Sequence, residues 1–155
     1  MTDVRVPFVD TYVLRGTGNG LQVLALRRAS GGRCPGSWET VHGTIEQGET
    51  PVQASLRELR EETGLVPDRL YNLSRVELFF RHTQNDVALI PAFAAFVRPA
   101  AAPVVSSEHD RAEWLVPAEA AARMAWPRER RALEDIVQLF VNGDAGLLED
   151  VLRVC

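Results

Sequence analysis

Residues 43 to 65 read Gly-Thr-Ile-Glu-Gln-Gly-Glu-Thr-Pro-Val-Gln-Ala-Ser-Leu-Arg-Glu-Leu-Arg-Glu-Glu-Thr-Gly-Leu, the most informative stretch of the chain. It holds five of the 21 acidic residues, three of them close together as Glu58, Glu61 and Glu62. Like charges four residues apart on a helix repel by roughly a few tenths of a kcal/mol. A divalent cation among these carboxylates would replace that repulsion with attraction.

The middle of this stretch carries the signals of a helix with defined ends. Thr50 is a suitable N-cap, Pro51 fits the first helical position, and Gln53 completes a capping box. Gly64 is a suitable C-terminal stop. The pattern therefore predicts a helix that begins after Thr50 and ends before Gly64.

The predicted helix has two different faces. At about 100° per residue, Glu58 and Glu62 lie about 40° apart on one face, with Glu61 beside them. An apolar stripe lies on another face and is formed by Val52, Leu56 and Leu59. Clustered carboxylates of this kind suit Mg²⁺ or Mn²⁺, which keep several waters and share other positions with substrate phosphates.

Nine positions of this stretch resemble the signature of the Nudix hydrolases without a departure. They are Gly43, Glu49, Arg57, Glu58, Leu59, Glu61, Glu62, Gly64 and Leu65. The resemblance implies an α/β fold, an α/β/α sandwich around a mixed β-sheet. It also implies a loop–helix–loop that binds divalent metal and hydrolyses a nucleoside diphosphate linked to another group. The competing interpretation is a solvated, charge-rich helix.

The resemblance also implies roles for individual residues. The expected metal ligands in the stretch are the backbone at Gly43 and the carboxylates of Glu58, Glu61 and Glu62, with Mg²⁺ as the ion and Mn²⁺ as an alternative. Glu58, Glu62 and Arg57 are expected catalytic residues, with Glu58 also acting on the attacking water. Arg57 is expected to pair with Glu49 and brace the loop.

A further carboxylate is expected from the loop before the last strand. The segment Ser106-Ser107-Glu108-His109-Asp110 precedes that strand, and several Nudix enzymes supply an acid from this region. Glu108 is the candidate, as metal ligand or general base, and a plain surface acid is the alternative. His109 is expected to make an ordinary polar contact.

Two arginines and four aromatic residues are candidates for substrate contact or for core. Successive strand residues face opposite ways, so Arg27 or Arg28 is expected to reach substrate phosphate unless both are solvated. Trp38 and Trp126 are expected to stack on a substrate ring or to fill core, with core preferred. We expect the pair Phe79 and Phe80 to fill core on opposite faces of a strand.

Composition limits the class of protein. The 155 residues predict one domain, 1–155, with a hydrophobic content of 46%. A net charge of −4 argues against nucleic-acid binding, and all 17 basic residues are arginine, which excludes lysine-based mechanisms. No stretch predicts a membrane span or a signal peptide, and two cysteines predict no disulfide framework. We therefore expect a cytoplasmic protein.

Patterning along the chain predicts alternating strands and helices. Strands are expected over 7–15, 21–28, 38–41, 73–81, 87–97 and 112–116, the first two forming a hairpin. Helices are expected over 117–124 and 127–141, each opened by a proline, and the tail 145–154 is expected to add a helical turn or two.

Segments outside the signature are similar to bacterial dihydroneopterin triphosphate pyrophosphohydrolases, also described as dATP pyrophosphohydrolases. They are 23–28, Ser37-Trp38, 43–51, Glu108-His109, Trp114-Leu115, Trp126 and Arg130. The resemblance implies Mg²⁺-dependent hydrolysis of a nucleoside or pterin triphosphate to monophosphate and pyrophosphate, by a monomer or homodimer. Alternatives are hydrolysis of oxidised nucleotides or dinucleoside polyphosphates, and a nucleotide-sensing module without turnover.

Overall fold

Eight strands form one mixed sheet in the computed structural model, which describes residues 1–155. The strands are β1 (Asp3–Arg5), β2 (Phe8–Arg15), β3 (Gln22–Arg28), β4 (Trp38–Glu39), β5 (Val41–Thr44), β6 (Arg69–Arg81), β7 (Asp86–Phe96) and β8 (His109–Leu115). Strand β7 runs parallel to β1 and β2, whereas every other pair is antiparallel. The expected mixed sheet is therefore confirmed.

Helices cover both faces of this sheet. They are α1 (Pro51–Thr63), α2 (Pro117–Arg123), α3 (Pro127–Leu139) and α4 (Glu149–Leu152), the last preceded by a 3₁₀ turn over Gly146–Leu148. One buried cluster lies between the sheet and α1, and the other lies between the sheet and the remaining helices. This arrangement is the α/β/α sandwich. None of the four helices combines the length and apolar character that crossing a membrane requires.

Helix α1 has the ends that its sequence predicts. The Gln53 backbone N–H donates to Thr50 Oγ1 at 3.2 Å, and the Thr50 backbone N–H donates to Gln53 Oε1 at 2.9 Å. Gly64 ends the helix in a left-handed conformation with φ of 70°. Leu59 is fully buried on the sheet side. The caps fix where α1 begins, and they thereby fix which face the carboxylates occupy.

Several strand boundaries differ from the expectation. Strand β1 was not predicted. Strand β6 begins at Arg69 rather than at residue 73, and a bulge after Asn72 interrupts the alternation that would have revealed its first residues. The predicted strand 38–41 divides into β4 and β5 at Thr40, whose backbone N–H donates to the Glu129 carboxylate at 2.6 Å. A side chain 89 positions further along the chain thus accompanies this break.

The expectation that Phe79 and Phe80 fill core is wrong. They face opposite sides of β6, as predicted, but they are 42% and 54% exposed. Helix α1 packs against β2 and β5 rather than against this part of β6. Phe79 instead meets the Trp126 ring edge-on, with centroids 5.9 Å apart.

Glu129 is a carboxyl that is completely buried near the start of α3. It accepts hydrogen bonds from the backbone N–H of Thr40 and, at 3.3 Å, of Trp126. Burial is the largest influence and raises the pKa of Glu129 to about 8, with a smaller contribution from the nearby Asp10. The folded protein therefore keeps a proton on Glu129 up to a higher pH than the unfolded chain, in which the pKa of this group is near 4.5.

This difference predicts a pH-dependent stability. Because the folded state binds the Glu129 proton more tightly, this carboxyl lowers the free energy of unfolding progressively as pH rises from about 4.5 to about 8. Glu129→Gln keeps an acceptor for Thr40 but cannot ionise. In urea titrations at several pH values with EDTA present, we expect the variant to gain stability relative to wild type as pH rises. The same pH dependence of the free energy of unfolding in both proteins would contradict the raised pKa of Glu129.

Candidate active site

Arg57, in the middle of α1, holds the loop that precedes this helix. Its Nε and Nη2 donate to the two Glu49 carboxylate oxygens at 2.8 and 2.9 Å, and Nη2 also donates to the Thr44 carbonyl. Hydrogen bonding from Arg57 is the main reason why the pKa of Glu49 is lowered to about 2. The Nε and Nη2 groups of Arg57 thus hold the loop against the helix, and the predicted pairing of Arg57 with Glu49 is present.

The remaining nitrogen of Arg57 reaches the carboxylates of α1. Nη1 donates to Glu58 Oε1 at 2.8 Å and to Glu61 Oε2 at 3.2 Å. Glu58 is mostly shielded from solvent, whereas the Glu61 side chain is 60% exposed on the outer side of the helix. Glu61 therefore lies beside Glu58 but at the exposed margin of the carboxylate group, and its role as a metal ligand remains a prediction.

Gly43 lies against the side chain of Glu58. A Cβ at position 43 would overlap Cγ, Cδ and Oε1 of Glu58, so no larger residue fits while Glu58 keeps this place. Gly43 is buried in β5, which pairs with β2. The glycine is needed here for close approach, since its backbone conformation is one that any residue adopts.

Glu62 is the deepest of the α1 carboxylates. It is 3% exposed, and its Oε2 has no hydrogen-bond partner. Burial is the main cause that raises the pKa of Glu62 to about 9, and the negative charges of Glu108 and Glu58 raise it further. An ionised carboxylate at this depth needs a cation beside it.

The loop that carries Glu108 is held by its neighbour. His109 is buried, and its Nε2 lies 2.9 Å from Glu39 Oε1, which also accepts from Arg28 Nη1 at 3.0 Å. Glu108 itself is exposed and forms no ion pair. His109 makes the expected polar contact, and this contact presents Glu108 to the cleft described next.

One cleft of about 680 Å³ is lined by five of the predicted site residues, namely Arg28, Gly43, Glu58, Glu108 and Trp126. Its end near α1 is lined by Arg28, Arg33, Cys34, Glu39, Gly43, Thr44, Glu58 and Glu108. Its other end is lined by Phe8, His42, Phe79, Arg81, His82, Thr83, Gln84, Ile90, Trp126 and Arg128. The first end is rich in charge and the second combines aromatic rings with hydrogen-bond donors.

Strand alternation separates the two candidate phosphate arginines. Arg28 lines the cleft, whereas Arg27 donates from Nε to Asp110 at 2.7 Å and lies outside it. Of the two arginines, Arg28 is thus the one placed where the expected phosphate contact could form, and that contact remains a prediction. Arg33, which sequence reasoning missed, also lines the cleft and has no ion-pair partner. Arg33 lies in a glycine-rich loop, and the sequence of such a loop does not show which way its side chains point.

The two candidate tryptophans also separate. Trp126 lines the cleft, and the guanidinium of Arg128 lies 4.8 Å from its ring centroid. Trp38 instead packs against the core beneath α2, with Arg123 over its ring at 4.9 Å. The structure therefore supports the core interpretation for Trp38 and removes it from the ring-binding candidates.

A buried carboxylate positions two further cleft residues that the sequence analysis missed. Asp10 is completely buried, and it accepts from Arg128 Nε at 2.7 Å and lies 2.7 Å from His42 Nδ1. Burial opposes ionisation of Asp10, but these two partners outweigh it and lower its pKa. The sequence signal was an aspartate inside the otherwise apolar strand β2.

The residues around Glu62 fit a divalent cation. The unpartnered oxygen of Glu62 and the nearby carboxylates of Glu58 and Glu108 make an oxygen-rich donor set of the kind that Mg²⁺ takes. As they lie, no three acidic, histidine or cysteine side chains are close enough to hold an ion. The reason is that Glu58 turns toward Arg57 and Glu108 is on a separate loop.

Several solved structures share this fold. A NUDIX hydrolase from Listeria monocytogenes has a TM-score of 0.76 at 22% identity, covering 90% of this chain and 97% of that one. The C. elegans Ap4A hydrolase has a TM-score of 0.71 at 18% identity, covering 86% and 96%. The E. coli dihydroneopterin triphosphate pyrophosphohydrolase has a TM-score of 0.67 at 24% identity, covering 90% and 100%.

Sequence comparison gives the family. A Myxococcus xanthus protein described as an octanoyltransferase is 35% identical over 114 residues, which are 69% of this chain but 30% of that protein. The chain therefore matches less than a third of this longer relative. The family model of the NUDIX domain matches residues 5–136. Together with the complete signature, this match shows that the chain belongs to the Nudix hydrolase family.

Proposed function

We propose that this protein is a Mg²⁺-dependent pyrophosphohydrolase, which cleaves a nucleoside or pterin triphosphate to its monophosphate and pyrophosphate. The observation that carries the proposal is the buried, unpartnered oxygen of Glu62, which lies near Glu58 and Glu108, two carboxylates that line the cleft. A carboxylate so placed is costly unless a cation and its ligand are bound there. Cation binding explains why a carboxylate is buried at this position, whereas a purely structural role does not.

The residues of this chain divide the work of phosphoanhydride hydrolysis. Glu58, Glu62 and the backbone at Gly43 would hold Mg²⁺, Arg57 would keep Glu58 in place, and Glu108 would serve as a further ligand or as the general base. When bound, Mg²⁺ neutralises charge on the phosphate oxygens and lowers the pKa of water. Glu108 is exposed and free of ion pairs, so it is our candidate to accept the proton of the attacking water.

Phosphate and ring groups of the substrate would occupy opposite ends of the cleft. Arg28 and Arg33 supply N–H donors beside the carboxylates, and Arg forks suit phosphate oxygens. Trp126 and Phe79 offer ring surfaces at the other end, and Arg128 and His42 are held there by Asp10. A triphosphate joined to a heterocycle matches both ends. The structural likeness to a dihydroneopterin triphosphate pyrophosphohydrolase and to an Ap4A hydrolase supports this class.

A substrate screen tests the proposal. Nucleoside triphosphates including dATP, oxidised nucleotides, dihydroneopterin triphosphate, diadenosine polyphosphates and nucleotide sugars would be incubated with Mg²⁺, and products resolved by chromatography. We expect pyrophosphate from one triphosphate with a clearly superior kcat/KM. Preferred cleavage of a diadenosine polyphosphate would replace the substrate assignment. Tight binding without turnover of any compound would support a sensing module instead.

Glu108 is tested by removing its charge. We expect Glu108→Gln to lower kcat by about 100-fold, because general-base catalysis contributes about 10²- to 10⁴-fold. The matched control is Glu134→Gln, since Glu134 is an exposed acid on α3 away from the cleft. Rates and Mg²⁺ dependence that stay equal in both variants would make Glu108 a plain surface acid.

The two tryptophans provide a matched pair for the ring end. Trp126→Ala removes a cleft surface, so we expect KM to rise by about tenfold, because stacking on one ring contributes about 1–3 kcal/mol. Trp38→Ala removes core packing, so we expect a lower melting temperature with little change in KM. Steady-state kinetics and thermal unfolding of both variants distinguish the roles. An unchanged KM in Trp126→Ala would show that the substrate ring does not stack on Trp126.

A further inference from the structure

One face of the sheet is apolar and exposed where β1, β6 and β7 extend past helix α1. Five side chains on or beside these strands are between 45% and 69% exposed: Val4, Val6, Val76, Leu78 and Phe80. The register places half-buried Val87, Leu89 and Pro91 of β7 beside them, opposite Phe80, Leu78 and Val76. We call these eight residues the apolar face. It contains no charged side chain.

The other face of the same strands is the polar one. Because strand residues alternate, it carries Asp3, Arg5, Glu77, Arg81 and Asp86, which form ion pairs. A sheet with one solvated face normally turns its polar residues to water and its apolar residues inward. Here the charged face adjoins the cleft and α3, and the apolar face has no element of this chain over it.

The edge of the sheet beside this face is also open. Between residues 76 and 81, β6 pairs with β7 on one side and with no strand on the other, since the C-terminal tail reaches it only at Leu70 and Tyr71. Natural edge strands are usually protected by charged side chains, proline or a covering element. Arg75, Glu77 and Arg81 supply charge on one side of this edge. On the other side, Val76, Leu78 and Phe80 provide no such protection.

The chemistry of this face restricts what can cover it. A partner that brings charge would bury it without an opposite charge, which is costly, so the occupant must be apolar. A two-fold dimer places the same patch on both sides of its interface, and a uniformly apolar patch is complementary to itself. Stable dimers bury about 800 Å² on each partner, and eight adjacent apolar side chains supply a large part of that area.

We propose that the apolar face is a homodimer interface, in which two copies of this chain pack their sheets face to face. The proposal is independent of the enzymatic activity proposed above. Its consequence for the cleft follows from strand alternation, because Phe79 and Arg81 line the cleft from the reverse side of the same strand as Leu78 and Phe80. A second copy would thus hold the wall of the cleft as well as cover the face.

The test is the mass of the full chain in solution by sedimentation or light scattering. We expect wild type at twice 17.2 kDa and Leu78→Glu at 17.2 kDa. Val66→Glu is the matched control, since Val66 is 68% exposed outside the face and Leu78 is 69% exposed within it. Circular dichroism checks that each variant folds, which exposed positions should permit.

Hydrogen exchange gives a second measurement that does not depend on a variant. Amides of β6 between 76 and 80 should exchange faster when the wild type is diluted below its dissociation constant. A wild type that is monomeric at its highest soluble concentration would overturn the proposal and leave the face to another occupant, such as further chain of a longer protein. A dimer that persists in Leu78→Glu, or is lost in Val66→Glu, would overturn it as well.

Discussion

Glu62→Gln is expected to reduce hydrolysis by at least about 100-fold while the protein remains folded. Ligands of a catalytic cation support several kcal/mol of transition-state charge stabilisation, and each 1.36 kcal/mol is a factor of about ten in rate. The side chain keeps its size, and the variant no longer places a titratable carboxyl in a buried position. The melting temperature in EDTA should therefore equal that of wild type or exceed it.

The neighbouring Glu61→Gln provides the contrast. Glu61 has the same chemistry one residue earlier, but its side chain is exposed and pairs with Arg57 on the outer side of α1. We expect its loss in kcat to be at least about tenfold smaller than that of Glu62→Gln. Equal losses would show that both carboxylates serve the cation, and near-normal turnover in Glu62→Gln would refute the metal assignment.

Gly43→Ala is expected to reduce kcat by about tenfold or more with little loss of stability. The added Cβ would occupy the space of the Glu58 carboxylate, so Glu58 must leave Gly43 and change its contact with Arg57. Because Glu58 is a flexible side chain at the edge of the cleft, it can move without disturbing the core. The Mg²⁺ concentration for half-maximal rate should rise together with the loss in kcat.

Gly20→Ala controls for the loss of a glycine. A Cβ at Gly20 meets no atom within 4 Å, and the residue lies in the turn between β2 and β3, outside the cleft. We expect wild-type kinetics from this variant. If Gly43→Ala also kept wild-type kinetics, the close approach of Gly43 to Glu58 would have no catalytic role.

Local patterns were sufficient to predict the part of the site that lies within one segment. The caps at Thr50 and Gly64 determine the phase of α1, and the phase places Glu62 beneath the cleft. The pairing of Arg57 with Glu49 lies within the same segment and was also predicted. Helix periodicity put Glu61 beside Glu62, but it did not show that the Glu61 side chain is exposed and paired with Arg57.

The rest of the site is assembled from distant segments, and no local pattern encodes such contacts. Asp10 and Arg128 are 118 positions apart, and their ion pair places a guanidinium beside Trp126. Arg33 belongs to a loop whose glycine and proline predict a turn but not its direction. Similarly, alternation showed that Phe79 and Phe80 face opposite ways, but helix placement determined that neither is core.

The dependence of turnover on free Mg²⁺ tests the central claim most directly. With the best substrate of the screen, wild type would be assayed in EDTA and then with increasing Mg²⁺, and Glu62→Gln would be assayed in parallel. We predict no turnover in EDTA, full recovery with Mg²⁺ in wild type, and no comparable recovery in Glu62→Gln. Turnover that persists in EDTA, or a Glu62→Gln response equal to wild type, would contradict the account.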